Sequence, residues 1–134
     1  MSGSAEPAAL TAAFTRLHEA LQAQDLETVV SLLDPEIKVI GMKGTFHGRE
    51  EVLRWATKLT TGSLDSLIEV DEVREVAGDH VAVQARRLWH WREDGQLALD
   101  DGFGALFRFR DGRVWRWRQD FPSIVEAIDA VPLD

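Results

Sequence analysis

Residues 80–120 read HVAVQARRLWHWREDGQLALDDGFGALFRFRDGRVWRWRQD, which is three aromatic-rich segments separated by two turn sequences. The turns contain Asp94-Gly95 and Asp111-Gly112, and an Asp-Gly pair between such segments is typical of a β-hairpin. The stretch therefore predicts three consecutive antiparallel strands. The length of each turn then decides which side chains share a face of the sheet.

Each turn is expected to be a three-residue loop with glycine in the left-handed position, because this length lets apolar and polar residues alternate cleanly. One loop pairs Arg87 with Asp101 and Trp91 with Leu97, and the other pairs Phe107 with Trp115. The predicted inner face is apolar and aromatic, built largely from Val83, Ala85, Trp89, Trp91, Phe103, Ala105, Phe107, Phe109, Trp115 and Trp117. The outer face of the second hairpin carries Leu106, Arg108, Val114, Arg116 and Arg118.

Three polar residues interrupt the predicted inner face, namely Arg87, Asp101 and Gln119. A guanidinium and a carboxylate beside aromatic rings could orient a polar ligand, and Asp101 could act as a base. The alternative is a cross-strand salt bridge that only satisfies two polar groups. A bulge that shifted the register by one residue would instead turn Arg86 and Asp100 inward.

The predicted ligand walls are aromatic and aliphatic side chains from the sheet and the first helix: Trp117, Phe103, Trp89, Phe14 and Leu17. Gln119 is a predicted ligand-binding residue, while Asp101 and Arg87 are the candidate catalytic pair. His18 and His47 are interpreted as structural. The four histidines lack metal-ligand spacing, so no metal and no cofactor are expected.

Composition excludes several classes of function. The chain has 134 residues, enough for one domain, here 8–134 after a flexible N-terminus at 1–7. A net charge of −8 argues against a nucleic-acid surface. There is no cysteine, which excludes disulfides and thiolate chemistry. No apolar run reaches membrane-spanning length and no basic signal segment opens the chain, so a cytoplasmic protein is expected.

The remaining pattern predicts helices before strands. Apolar residues at helical spacing indicate helices over about 8–23 and 49–59, and Asp25 is a candidate cap for a short helix ending at Asp34-Pro35. Residues 36–42 and 66–76 are β-rich, and Pro122 is expected to open a terminal helix. This order predicts an α+β fold in which a curved, mostly antiparallel sheet wraps around helices to form a cone with a pocket.

Several strings resemble the nuclear transport factor 2-like superfamily, which includes SnoaL-like polyketide cyclases, ketosteroid isomerase and limonene-epoxide hydrolase. They include Asp25-Leu26, Phe46-His-Gly-Arg-Glu-Glu-Val52, Phe107-Arg-Phe-Arg-Asp-Gly-Arg-Val114 and Trp117-Arg-Gln-Asp-Phe121, and the resemblance covers about residues 8–130. It implies the cone fold, a pocket at its mouth and homodimers.

The catalytic residues of the resembled families mostly do not carry over. The isomerase base corresponds to Gly41, its tyrosine to Leu17 and its second aspartate to Ala105. The hydrolase aspartate that follows Trp-Arg corresponds to Gln119, a neutral side chain that cannot take a proton. The hydrolase Tyr and Asn positions hold Lys38 and Ile40. Only its Arg-Asp pair has a possible counterpart, Arg87 and Asp101.

The sequence favours a SnoaL-like pocket protein that binds a small apolar or polycyclic ligand, with catalysis left open. One alternative is an isomerase, cyclase or epoxide-hydrolase-type enzyme that uses Asp101 with Arg87. Another is a non-catalytic dimerisation or partner-binding module. Outward Leu106 and Val114 would expose apolar area on a monomer, so a homodimer through the sheet is expected.

Overall fold

The computed structural model describes residues 5–41, 44–58 and 64–134. Its elements, in chain order, are α1 (Ala5–Ala23), α2 (Leu26–Ser31), β1 (Leu33–Gly41), β2 (Gly44–His47), α3 (Gly48–Lys58), β3 (Leu64–Val76), β4 (His80–Trp91), β5 (Leu97–Arg110), β6 (Arg113–Phe121) and α4 (Ile124–Asp129). The predicted strand end at Met42, the predicted helix end at Leu59 and residues 1–4 of the predicted flexible N-terminus lie outside the described residues.

The predicted α+β class is confirmed. The strands form one sheet in the order β2-β1-β6-β5-β4-β3. Neighbours are antiparallel except β1 and β6, which are parallel. The sheet is curved and does not close, so β2 and β3 are its two edges in the described residues. None of the described helices is long and apolar enough to span a membrane.

Two short helices begin at polar caps. The side chain of Asp25 accepts a hydrogen bond from the Thr28 backbone N–H, as the sequence predicted for the start of α2. The hydroxyl of Ser123 accepts one from the Val125 N–H at the start of α4. Each cap satisfies a backbone donor that the first turn of the helix leaves without a partner.

The first aromatic hairpin has the predicted register over most of its length. Arg87 pairs with Asp101, Ala85 with Phe103 and Val83 with Ala105. The register shifts near the turn, so that Leu97 pairs with His90 rather than Trp91. Two hydrogen bonds close a longer turn. The Trp91 N–H donates to the Gln96 carbonyl, and the Gly95 N–H donates to the Trp91 carbonyl. The predicted three-residue loop is therefore wrong here and Leu97 leaves its predicted pair with Trp91, whereas the pairs from Trp89–Leu99 to Val83–Ala105 are as predicted.

The second hairpin corrects the predicted turn. Arg110 pairs with Arg113, which leaves a two-residue turn of Asp111 and Gly112 with φ of 54° and 77°. Two left-handed residues are what a tight type I′ turn requires. The register then shifts by one between the Phe109–Val114 and Arg108–Arg116 pairs, so Trp115 is the extra residue of a β-bulge.

The bulge exchanges two predicted positions. Val114 turns into the core and is 1% exposed, whereas Trp115 lies on the outer face. There the Trp115 ring packs against the guanidinium groups of Arg108, Arg110 and Arg116, at 5.3, 4.7 and 3.8 Å from the ring centroid. Beyond the bulge the alternation resumes in the predicted phase. Trp117 therefore faces inward, opposite Phe107 rather than Ala105.

Helix α4 covers part of the outer face of the sheet. Leu106, predicted to be exposed, is fully buried beneath it, in a second apolar cluster with Ala82, Phe121, Ile124, Ala127 and Leu133. The C-terminal segment is fastened to the same face, because buried His80 accepts a hydrogen bond from the Leu133 N–H and Arg108 donates to the Leu133 carbonyl. Leu106 and Val114 therefore expose no apolar area that would require a second subunit.

Strand β2 was not predicted. Its four residues pair with the end of β1, Val39 opposite Phe46, where the spacing of Gly41, Gly44 and Gly48 suggested only a connection. A short edge strand of this kind has too few residues to show alternation in the sequence.

Candidate functional site

The inner face of the sheet and helix α1 enclose a mostly apolar cavity. Its volume, taken as the space open to the centres of water molecules, is about 40 Å³, room for about three waters. Helix α1 contributes Phe14, Leu17, His18 and Leu21, and the sheet contributes Ile68, Val70, Val83, Ala85, Phe103, Ala105, Phe107, Trp117 and Gln119. Apart from the indole N–H of Trp117, the polar side-chain groups in this set belong to His18 and Gln119, so the cavity wall is mostly apolar.

Five of the eight residues predicted for the site line this cavity, namely Phe14, Leu17, Phe103, Trp117 and Gln119. They come from three separate elements. The alternation of β5 and β6 turns the last three toward α1, while the helical spacing of Phe14 and Leu17 turns both toward the sheet. Arg116 and Arg118, which an opposite register would have directed inward, lie on the outer face and do not line the cavity.

The other three predicted residues, Arg87, Asp101 and Trp89, do not line the cavity. They lie further along the same face of the β4–β5 hairpin. The Arg87 guanidinium packs over the Phe103 ring at 4.4 Å, and its Nη1 is 3.8 Å from the Asp101 carboxylate. The Arg87 side chain is 13% exposed and that of Asp101 is 52% exposed. Burial lowers the pKa of Arg87, an effect that the Asp101 charge opposes.

Gln119 and Trp117 form the polar end of the cavity. Both are buried, and the Trp117 indole N–H donates a hydrogen bond of 3.0 Å to Gln119 Oε1. The Trp117 ring also lies 5.1 Å from the Phe107 ring, which in turn lies 5.1 Å from Phe14. A continuous aromatic wall therefore runs from the helix to the amide of Gln119.

His18 is the second polar group in the cavity wall, although the sequence suggested a structural role. It continues the α1 stripe at positions 14, 17, 18 and 21, a spacing that marked it as inward-facing. Burial lowers the pKa of His18 below its ordinary value of 6.5, while Glu19 pulls it the other way. The imidazole is therefore neutral at neutral pH and offers one donor and one acceptor.

Trp55 on α3 packs against Trp117, one of the residues that line the cavity. Trp55 was not identified from the sequence. Its ring meets Trp117 edge-on at 5.3 Å and stacks against Phe46 of β2 at 5.5 Å. The signal was present, since Trp55 follows Val52 by three residues on one helix face. Trp55 therefore packs against the ring whose indole N–H bonds the amide of Gln119.

The chemistry available in the cavity is restricted. No carboxylate is among its lining residues, and His18 is the one lining residue with a titratable side chain. Within residues 5–41, 44–58 and 64–134, no three His, Cys, Asp or Glu side chains gather in a way that could hold a metal ion.

Known structures share this architecture. An LEH-like epoxide hydrolase from M. tuberculosis superposes with a TM-score of 0.71 at 17% identity, covering 92% of this chain and 91% of its own. An NTF2-like protein of unknown function from Burkholderia pseudomallei K96243 gives a TM-score of 0.70 at 21% identity, covering 93% and 98%. Bal32a, from a soil-derived mobile gene cassette, gives 0.73 at 20% identity, covering 90% and 94%. At these identities the likeness establishes the fold.

No curated protein matches the chain in sequence. The family model of the SnoaL-like domain, in contrast, matches residues 14–117, which span α1 to Trp117 and include every lining residue of the cavity except Gln119. The order of elements, the curved sheet and the family match agree. The chain therefore belongs to the SnoaL-like domain family of the NTF2-like superfamily.

Proposed function

We propose that this protein binds a small, mostly apolar molecule in the cavity between α1 and the sheet. The observation that carries the proposal is the composition of the wall, in which eleven apolar side chains surround His18 and Gln119. Ligand sites typically combine apolar walls with a few polar groups that fix orientation. The narrow volume disfavours a polycyclic ligand, and a one-ring ligand would enter only with movement of side chains in the cavity wall.

Filling the cavity tests this proposal. Ala85 is 1% exposed and lines the cavity, so the larger side chain in Ala85→Leu would fill the space in which we propose that the ligand binds. The matched control is Ala23→Leu, which adds the same atoms at the exposed end of α1. A panel of one-ring aromatic and alicyclic compounds would be screened by thermal unfolding. A ligand at about a hundred times its Kd stabilises the folded state by about 2.7 kcal/mol.

We expect Ala85→Leu to raise the Kd of every binding compound at least about tenfold, while Ala23→Leu leaves the Kd unchanged. Equal binding by both variants would show that the compounds occupy another part of the molecule. A panel without any binder would count against the proposal itself.

A second proposal is an isomerase, cyclase or hydrolase activity that uses Asp101 with Arg87. It is favoured by their direct cross-strand pairing and by the stacking of Arg87 on Phe103. Phe103 also lines the cavity, so the pair lies next to it. The test is Asp101→Asn, which keeps the shape but removes the charge. The control is Asp100→Asn, which changes a neighbouring carboxylate that pairs with Arg86 instead.

If Asp101 is a base, Asp101→Asn should lower turnover of an identified substrate by roughly a hundredfold or more, with the fold intact. If Asp101 only positions Arg87, ligand affinity should change modestly and turnover little. Unchanged binding and turnover with a lower Tm would assign the pair a structural role.

A further inference from the structure

The orientation of the Gln119 amide is fixed by its neighbour. An indole N–H can only donate a hydrogen bond, so the atom that Trp117 Nε1 contacts at 3.0 Å must be the carbonyl oxygen of the amide. Exchanging the oxygen and nitrogen would set two donors against each other. The NH₂ group of Gln119 therefore points away from Trp117.

That NH₂ group has no protein partner among the described residues. Gln119 is 8% exposed and lines the cavity, and its side chain makes one hydrogen bond within the described parts of the chain, the bond through its oxygen. Arg116 Nε is the one fully buried side-chain nitrogen or oxygen without a partner in the described residues, so the Gln119 NH₂ group keeps access to solvent through the cavity. A bound group could supply the acceptor that the protein does not. The cavity wall thus carries two oriented N–H donors for which the described residues supply no acceptor.

We infer that Gln119 recognises a carbonyl oxygen on an uncharged ligand. This inference rests on the proposed ligand-binding function and names the chemical class of the ligand. An sp² oxygen accepts hydrogen bonds in the plane of its carbonyl group and suits an amide donor. The apolar walls of the cavity disfavour a charged ligand.

The surroundings of Gln119 separate this class from two others. A protonated amine presents only donors to this donor, so it gains nothing from the amide NH₂ group. A carboxylate would need a counter-charge, and Arg87, a cation on this face, lies over Phe103 beside the half-exposed carboxylate of Asp101. Gln119 binds and orients the carbonyl group, and it exchanges no proton with it.

Two ligands of nearly the same shape test the inference. Acetophenone carries a carbonyl oxygen where α-methylstyrene carries a methylene group. The quantity to measure is the ratio of their Kd values, because this ratio removes the general hydrophobic contribution. Titrations would use the full chain, the variant Gln119→Met, which keeps the length of the side chain without its donors, and the control Gln96→Met on the exposed β4–β5 turn.

We expect Gln119→Met to shift the Kd ratio against acetophenone roughly five- to tenfold, the range for one neutral hydrogen bond, and Gln96→Met to leave it unchanged. In the parent protein, acetophenone should move the side-chain amide proton resonances of Gln119 downfield, whereas α-methylstyrene should not. The resonance shift does not depend on the stability of any variant.

The possible failures are distinguishable. One outcome is that both ligands bind and Ala85→Leu weakens the binding of each, while neither the Kd ratio nor the Gln119 amide resonances respond to the carbonyl group. In that case the inference is wrong but the proposed ligand binding stands. If neither ligand binds, the proposed function and the inference fail together. Tighter binding of benzoate than of acetophenone would assign recognition to Arg87 and overturn the role of Gln119.

Discussion

The carboxylate of Asp34 accepts two hydrogen bonds from the guanidinium of Arg110, at 2.9 and 3.1 Å, and so ties the start of β1 to the end of β5. Asp34 also accepts a bond from the Glu36 N–H at 2.8 Å. Hydrogen bonding to Arg110 lowers the pKa of Asp34 below its ordinary value of 3.8, although burial acts in the opposite direction. The charged form of Asp34 therefore stabilises the fold.

We expect Asp34→Asn to reduce the free energy of unfolding at neutral pH by about 1–3 kcal/mol, because the charge-assisted hydrogen bonds from the partly exposed Arg110 to the buried carboxylate are weakened. Glu36→Gln is the control, since Glu36 contacts the same Arg110 but its side chain is 76% exposed and should contribute less than about 1 kcal/mol. Urea denaturation measures both. The lowered pKa places the effect above about pH 3.8, and it should fade as the pH falls further. Equal losses in the two variants would contradict this account.

Gly104 is required by a close approach of two backbone segments. A Cβ atom at this position would lie 2.1 Å from the Ser123 carbonyl oxygen, where the chain enters α4. Gly104→Ala should therefore displace α4 and lower the free energy of unfolding by about 1–3 kcal/mol. At Gly102, two residues earlier on β5, a Cβ atom meets nothing closer than 3.9 Å. Thermal unfolding should find Gly102→Ala neutral, and a Gly104→Ala protein as stable as the parent would refute the contact.

His18 predicts a pH dependence in the mildly acidic range. Because burial lowers its pKa in the folded state, the unfolded chain binds a proton more readily. The free energy of unfolding should thus fall as the pH is lowered through the ordinary value of 6.5 toward the lower folded pKa. His18→Gln should flatten this slope, whereas His47→Gln, which removes an exposed imidazole, serves as the control. A slope that both variants retain would assign the effect elsewhere.

The homodimer expected from the sequence stays a prediction, now with a different candidate surface. Leu106 and Val114 are buried within the monomer, but Trp91 and Leu97 at the end of the β4–β5 hairpin are 46% and 54% exposed. Light scattering at tens of micromolar should find twice the chain mass of 15.1 kDa. Trp91→Ser should shift the species toward the monomer if this end of the hairpin forms the contact. A 15.1 kDa species for the parent chain would refute the dimer.

The sequence predicted the inner face well because two hairpins had to agree on it. The inward position of Phe103 follows from alternation and the pairing of Arg87 with Asp101 from the predicted register, and both are correct. Alternation could not reveal how the second turn is built, since a three-residue loop and a two-residue turn followed by a bulge give the same phase at Trp117. The exchange of Val114 and Trp115 was hidden for this reason.

The candidate site was predictable in its walls more than in its polar groups. Phe14, Leu17 and Trp117 were apparent from periodicity, but His18 was set aside because a histidine at the margin of an apolar stripe is usually structural. The hydrogen bond between Trp117 and Gln119 depends on side-chain rotamers that periodicity does not specify. The burial of Leu106 beneath α4 could not be predicted from the sequence either, because it depends on where the terminal helix packs.

The bulge at Trp115 has a consequence for changes in chain length. Nine residues separate Phe107 from Trp117, an odd number, and a two-residue turn can span an odd number only by leaving one residue outside the ladder. Deleting Trp115 would make the count even and the hairpin regular, with Phe107 still opposite Trp117. A single-residue deletion at position 115 would thus keep the residues of the inner face on that face and preserve the cavity. In a regular hairpin, a single-residue deletion would move every following side chain of the strand to the opposite face.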